Sequence, residues 1–129
     1  MIVSPSLLAA DFTCLNKEID MINHSEADWL HLDISDGVFV PNISFAFSVL
    51  DAIAPICTKP LDVHLMIVEP EKFTNRLAKL GASIMNVHYE ACTHLHRVIQ
   101  QIHDAGMKAA VTLNPSTPVC VLEDIIKDV

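Results

Sequence analysis

Leu61-Asp62-Val63-His64-Leu65-Met66-Ile67 alternates along its length, and so does Leu30-His31-Leu32-Asp33-Ile34. Successive strand side chains point to opposite faces of a sheet. One face therefore carries Leu30, Leu32, Ile34, Leu61, Val63, Leu65 and Ile67, and the other carries His31, Asp33, Asp62, His64 and Met66. The same split extends outward to Val3, Pro5 and Leu7 against Ser4 and Ser6. It recurs as Met85 and Val87 against Asn86, His88 and Glu90, and as Ala109, Val111 and Leu113 against Thr112 and Asn114. Strands are thus predicted over residues 2–8, 28–34, 61–68, 84–90 and 108–114, with helices over 11–23, 45–54, 70–80, 93–105 and 118–129. The punctuation agrees: Asp11 suits an N-cap, Gly81 and Gly106 suit positions just past a helix end, and Pro70 and Pro118 suit a first helical turn.

Five βα units in a single domain over residues 1–129 mean an α/β fold with a parallel sheet. A doubly wound sheet of five units would be complete at this length, whereas a (β/α)8 TIM barrel needs roughly 200 residues or more. The strand faces decide between them. A sheet covered by helices on both sides has continuously apolar central strands, and in such a sheet the polar register here would be buried at a few kcal/mol for each unpaired group. In a barrel the same groups line the interior near its mouth. A barrel is therefore expected, with only its first five βα units in this chain. A five-unit receiver-type signalling domain is excluded by its missing acidic cluster, Asp and Lys at the strand ends, which here read Ser6-Leu7-Leu8, His64-Leu65-Met66 and Asn114-Pro115-Ser116.

Composition bounds the function classes. The chain has 51% hydrophobic and 19% charged residues, the signature of a folded domain. With 8 Lys+Arg against 16 Asp+Glu and a net charge of −8, it lacks the basic stripe of a nucleic-acid binder. No apolar run reaches the roughly 18 residues of a membrane span, and no basic leader opens the chain. Only three glycines occur, which excludes a Gly-rich dinucleotide fingerprint and a P-loop. Cys14, Cys57, Cys92 and Cys120 are far apart and form no C-x-x-C pair, so four reduced thiols and a cytoplasmic location are expected.

Ser6, Asp33, His64, His88 and Asn114 follow one another at spacings of 27, 31, 24 and 26, each near the C-terminal end of its strand, the catalytic face of a barrel. His31 and Asp33 share a strand face, and His64 comes from the next strand. Two imidazoles and a carboxylate suit Zn, Fe, Mn or Co. Two satisfied interior histidines and an ordinary inward aspartate fit the same spacing equally well. Asp36-Gly37 reads as a turn, and residues 35–44 as a connection or a substrate-covering loop. His88 and Glu90 read as pocket polarity or as groups behind the site, and His94, His96 and His103 as a solvated helix surface.

The segments Ser4-Pro5-Ser6-Leu7-Leu8-Ala9-Ala10-Asp11-Phe12, His31-Leu32-Asp33-Ile34-Ser35-Asp36-Gly37-Val38-Phe39-Val40-Pro41-Asn42, Leu61-Asp62-Val63-His64-Leu65-Met66, Val87-His88-Tyr89-Glu90-Ala91 and Leu113-Asn114-Pro115-Ser116-Thr117-Pro118 run in one order and spacing. Together they resemble the N-terminal five eighths or so of the ribulose-phosphate 3-epimerase family. The resemblance implies a ribulose-phosphate-binding (β/α)8 barrel that interconverts D-ribulose 5-phosphate and D-xylulose 5-phosphate, in the pentose phosphate pathway, by C3 proton abstraction through a metal-stabilised enediolate. It implies that His31, Asp33 and His64 hold one divalent ion, that Asp33 is one of two acid/base carboxylates, and that Ser6, His64 and Met66 contact substrate. A sugar-phosphate partner and a homo-oligomer are implied as well. The chemistry calls for such groups: a proton α to a ketone is weakly acidic, a metal supplies Lewis-acid stabilisation, and inversion needs carboxylates on opposite faces.

Three departures matter. The resemblance implies that the family's second catalytic aspartate, also its fourth metal ligand, and its phosphate-binding glycine loops lie on later strands, so residues 1–129 alone are expected not to epimerise and to leave apolar sheet edges open. Ser35 stands where a methionine is usual, and Ala46-Phe47 replaces a usual Gly-Pro. Two alternatives stand beside the pentulose-phosphate reading: an allulose-6-phosphate 3-epimerase with the same triad, and a non-catalytic half-barrel.

Overall fold

The computed structural model describes residues Met1–Val129. Four strands, β1 (Leu30–Ser35), β2 (Leu61–Met66), β3 (Ile84–His88) and β4 (Lys108–Thr112), form one parallel sheet in the order β1-β2-β3-β4. The helices α1 (Leu15–His24), α2 (Phe47–Ile53), α3 (Thr74–Leu80) and α4 (Leu95–Asp104) alternate with them. Strands laid down in strict sequence order, with no reversal, are the arc of a barrel; a doubly wound sheet reverses its order at a switch point. The architecture is α/β and consistent with part of a TIM barrel.

The core lies between the apolar register of the sheet and the helices. Leu32, Val63, Leu65, Met85 and Val87 from the strands and Ile19, Leu50, Leu77, Ile99 and Ile102 from the helices are all completely buried. The helix stripes follow the expected period, with Leu95, Val98, Ile99 and Ile102 on the inner side of α4. Gly81 ends α3 at φ 88° and Gly106 follows α4 at φ 85°, left-handed positions that favour glycine. No helix is long and apolar enough to cross a membrane.

Two predicted elements differ. Residues 2–8 run beside β1 but form only a single parallel bridge, Ser6 to His31, and the turn Leu7–Ala9 begins at once. Pro5 has no N–H to give, while its carbonyl accepts His31 N–H at 2.9 Å and the Val3 carbonyl accepts Asp28 N–H at 2.8 Å. The first strand is thus reduced to an irregular edge that still delivers Ser6 to the sheet face. Residues 118–129 form short 3₁₀ turns, Val119–Leu122 and Ile126–Asp128, in place of an α-helix. Only Leu122 is buried there, so no apolar stripe pulls the segment into α geometry. Smaller shifts follow the same logic. Asp11 caps a 3₁₀ turn, Phe12–Cys14, that precedes α1, and Pro70 opens another, Pro70–Phe73, that precedes α3. The four cysteines are free thiols.

Candidate active site at the strand ends

Register places the polar residues. β1 and β2 pair His31 with Asp62, Asp33 with His64, and Ser35 with Met66, while the bridge sets Ser6 beside His31. The four side chains Ser6, His31, Asp33 and His64 accordingly meet. Asp33 is the hub. Its Oδ2 accepts the Ser6 hydroxyl at 2.5 Å, and its Oδ1 lies 3.0 Å from His31 Nε2 and 2.9 Å from His64 Nδ1. Beyond the hub, His31 Nδ1 lies 2.6 Å from Asp62 Oδ2 and His64 Nε2 lies 3.0 Å from His88 Nε2. Met66 ends β2 one pleat repeat past His64, next to Ser35 in register.

The electrostatics follow from these contacts. Burial works against the charge on Asp33, yet the hydrogen bonds from Ser6 and His64 and the nearby imidazoles hold its carboxyl below the usual range. The hydrogen bond to Asp62 raises His31, against burial and with help from the charge of Asp33. Burial lowers His88, with the neighbouring His64 adding to it and Glu90 opposing. The site therefore keeps an ionised carboxylate at its centre and a neutral imidazole behind it.

A divalent cation fits this donor set. One ligand atom each from His31, Asp33 and His64 lies within 4.8 Å of the others. With a cation present, the acceptor-only carboxylate of Asp62 would hold the proton of a neutral His31 on Nδ1 and leave Nε2, 3.0 Å from Asp33 Oδ1, free to give its lone pair. Two nitrogens and an oxygen are what Zn or a neighbouring first-row metal takes.

The connection after β1 reaches this cluster through Phe39. Asp36 accepts the N–H groups of Val38 and Phe39 at 2.8 Å on one oxygen and that of Val68 at 2.9 Å on the other, tying the connection to the end of β2. Gly37 turns it at φ 74°, where an added Cβ would come within 2.9 Å of the Ile43 side chain. Phe39 lies against His88, ring centroids 4.7 Å apart. Asp36 is thus the turn-former that the sequence suggested. Glu90 accepts Asn114 N–H at 2.8 Å and also the Thr117 hydroxyl, so it fastens the turn after β4. His96 and His103 are exposed, as expected, and meet Asp128 of the last turn, His103 Nε2 lying 2.8 Å from its carbonyl. Sequence reasoning gave Asp62 and Phe39 no role. Alternation put Asp62 on the right face, but only the register reveals His31 as its neighbour.

Known proteins are similar to this sequence. The model of the Ribulose-phosphate 3 epimerase family matches residues 2–129. The ribulose-phosphate 3-epimerase of Bacillus subtilis (strain 168) is 50% identical over 126 residues, 98% of this chain and 58% of the relative. That of Synechocystis sp. is 51% identical over 128 residues, 98% of this chain and 56% of the relative. The chloroplastic ribulose-5-phosphate-3-epimerase of Arabidopsis thaliana is 46% identical over 128 residues, 98% of this chain and 46% of the relative. The chain spans about half the length of the curated relatives it matches. With its family model matched along nearly the whole sequence, on a fold that brings Ser6, His31, Asp33 and His64 together, the chain belongs to the ribulose-phosphate 3-epimerase family.

Proposed function

We propose that these residues form the metal-holding and proton-abstracting part of an epimerase that interconverts D-ribulose 5-phosphate and D-xylulose 5-phosphate at C3. The observation that carries the reading is the division of labour on Asp33: Oδ1 faces two imidazole nitrogens, while Oδ2 carries only the Ser6 hydrogen bond. In this reading His31, Asp33 and His64 hold one divalent ion, and the ion supplies Lewis-acid stabilisation of oxygens next to the reacting carbon. Asp33 Oδ2 keeps a lone pair free and takes the C3 proton. Ser6 steadies that oxygen and, with His64 and Met66, contacts the substrate. The names of the relatives support a pentulose phosphate over the six-carbon alternative.

Inversion also needs a proton returned on the opposite face. The other inward carboxylates are engaged, Asp62 with His31 and Glu90 with Asn114 and Thr117. The second acid/base group and the phosphate loops are therefore proposed to come from the part of the relatives that these residues do not span, and residues 1–129 alone are proposed to be inactive. A cytoplasmic, homo-oligomeric enzyme goes with this reading.

The test joins residues 1–129 to the remaining portion of the Bacillus subtilis relative and follows C3 proton exchange and epimerisation of ribulose 5-phosphate. The expected result is metal-dependent turnover that falls about 10²- to 10⁴-fold in Asp33→Asn. A folded chimera without exchange, or one whose Asp33→Asn form keeps full activity, overturns the proposal.

A further inference from the structure

The two metal-facing imidazoles of the proposed centre present different nitrogens, and each is gripped from behind. His31 turns Nε2 to Asp33 and has Asp62 Oδ2 2.6 Å from its Nδ1. His64 turns Nδ1 to Asp33 and has His88 Nε2 3.0 Å from its Nε2. We infer that Asp62 and His88 are the positioning residues of the site: by holding the outer nitrogens they choose Nε2 of His31 and Nδ1 of His64 as the donors turned to the cation. The inference rests on the proposed metal reading.

The proton bookkeeping closes on both sides. A carboxylate accepts and never donates, so Asp62 draws the ring proton of His31 to Nδ1 and leaves the Nε2 lone pair outward. When Nδ1 of His64 gives its lone pair to a cation, its proton sits on Nε2 and is donated to His88 Nε2. A neutral His88 then carries its own proton on Nδ1, which faces Glu90 Oε2 at 3.5 Å and has no nearer partner. Glu90 is held by the turn after β4, and the ring of His88 lies against Phe39. His88 is 6% exposed and Asp62 8%, so both contacts are largely shielded from water. An outer partner of this kind fixes ring orientation and donor basicity, and its loss typically weakens metal binding 10- to 100-fold.

The ions used as probes are Zn²⁺ and Co²⁺. In the Zn²⁺-loaded chain, long-range ¹⁵N correlation of the imidazoles is expected to show the remaining proton on Nδ1 of His31 and on Nε2 of His64. Co²⁺ affinity, measured against a competing chelator, is expected to fall about 10- to 100-fold in Asp62→Leu and in His88→Leu. His88→Gln, whose amide oxygen can accept from His64 Nε2, is expected to recover most of the loss. Reversed protonation in the wild-type chain overturns this inference alone, whether or not any variant folds. Folded leucine variants with wild-type affinity overturn it as well. A wild-type chain that binds neither ion overturns the metal reading and this inference together.

Discussion

Ser6 gives Asp33 its only partner on Oδ2, at 2.5 Å. A neutral hydrogen bond contributes about 1 kcal/mol, and one to a charged group somewhat more. Ser6→Ala in the completed barrel is therefore expected to lower kcat about tenfold and the thermal midpoint by about 2–4 °C. Asp36 does a different job, with three backbone N–H groups on one carboxylate. Burial opposes its charge, but the N–H groups of Val68, Val38 and Phe39 prevail and hold its carboxyl below the usual range. The sign follows from linkage: a depressed folded value stabilises the fold above the unfolded value near 4 and loses that stabilisation as pH falls through the folded value. Asp36→Asn is expected to cost about 1–2 kcal/mol at pH 7 and to flatten the acid limb of stability below about pH 4. Thermal melts from pH 6 to pH 3 read both effects, and equal slopes in the two proteins would refute the assignment. At this scale the sequence was most legible where alternation decides: His31 and Asp33 share a strand face, and His64 joins them because the apolar residues of both strands must face one core. The role of Asp62 was hidden because partner choice depends on the stagger of β1 against β2, which spacing along one chain does not fix.

Among the elements, the strands with strong alternation appear where predicted, within a residue or two at each end. The failures lie where local chemistry overrides pattern, at Pro5 in the first segment and at the nearly unburied turns after Pro118. Ala46-Phe47 opens α2. Ala46 precedes α2 in an extended conformation, and the Phe47 ring lies 5.5 Å from that of Phe73 at 24°, with the Arg76 guanidinium 5.3 Å from its centre. Arg76 in turn pairs with Asp51 of α2 at 2.5 Å. Phe47 thus ties α2 to the start of α3. Because it is only half buried, Phe47→Ala is expected to cost about 2 kcal/mol, near half of a fully buried case. Urea unfolding measures it, and a cost near zero would show that the Arg76–Asp51 pair alone holds the two helices. Ser35 is buried, and its backbone N–H donates to the Ser44 hydroxyl at 3.0 Å, a contact that pins the connection after β1 whatever side chain stands at 35.

As a whole, the sheet is paired continuously from β1 to β4 and then stops, with β4 hydrogen-bonded on one side only. A polypeptide of residues 1–129 by itself presents that open edge, and such edges pair with other chains. Sedimentation of this polypeptide is expected to show association that grows with concentration, and joining the remaining strands of a relative is expected to abolish it. A monomer at all concentrations would mean that the edge is covered from within. Barrel topology was legible because polar residues recurred on one face of every predicted strand, which a sheet covered on both sides cannot accommodate. The order of synthesis adds a last point. Three candidate donors, His31, Asp33 and His64, lie on two consecutive strands and are synthesised before β3 and β4. A cation captured there would cross-link β1 to β2 in the nascent chain and seed the barrel on its short-range contacts. Metal supply during translation would then govern how much folded protein a cell obtains, separately from how fast each finished molecule turns over.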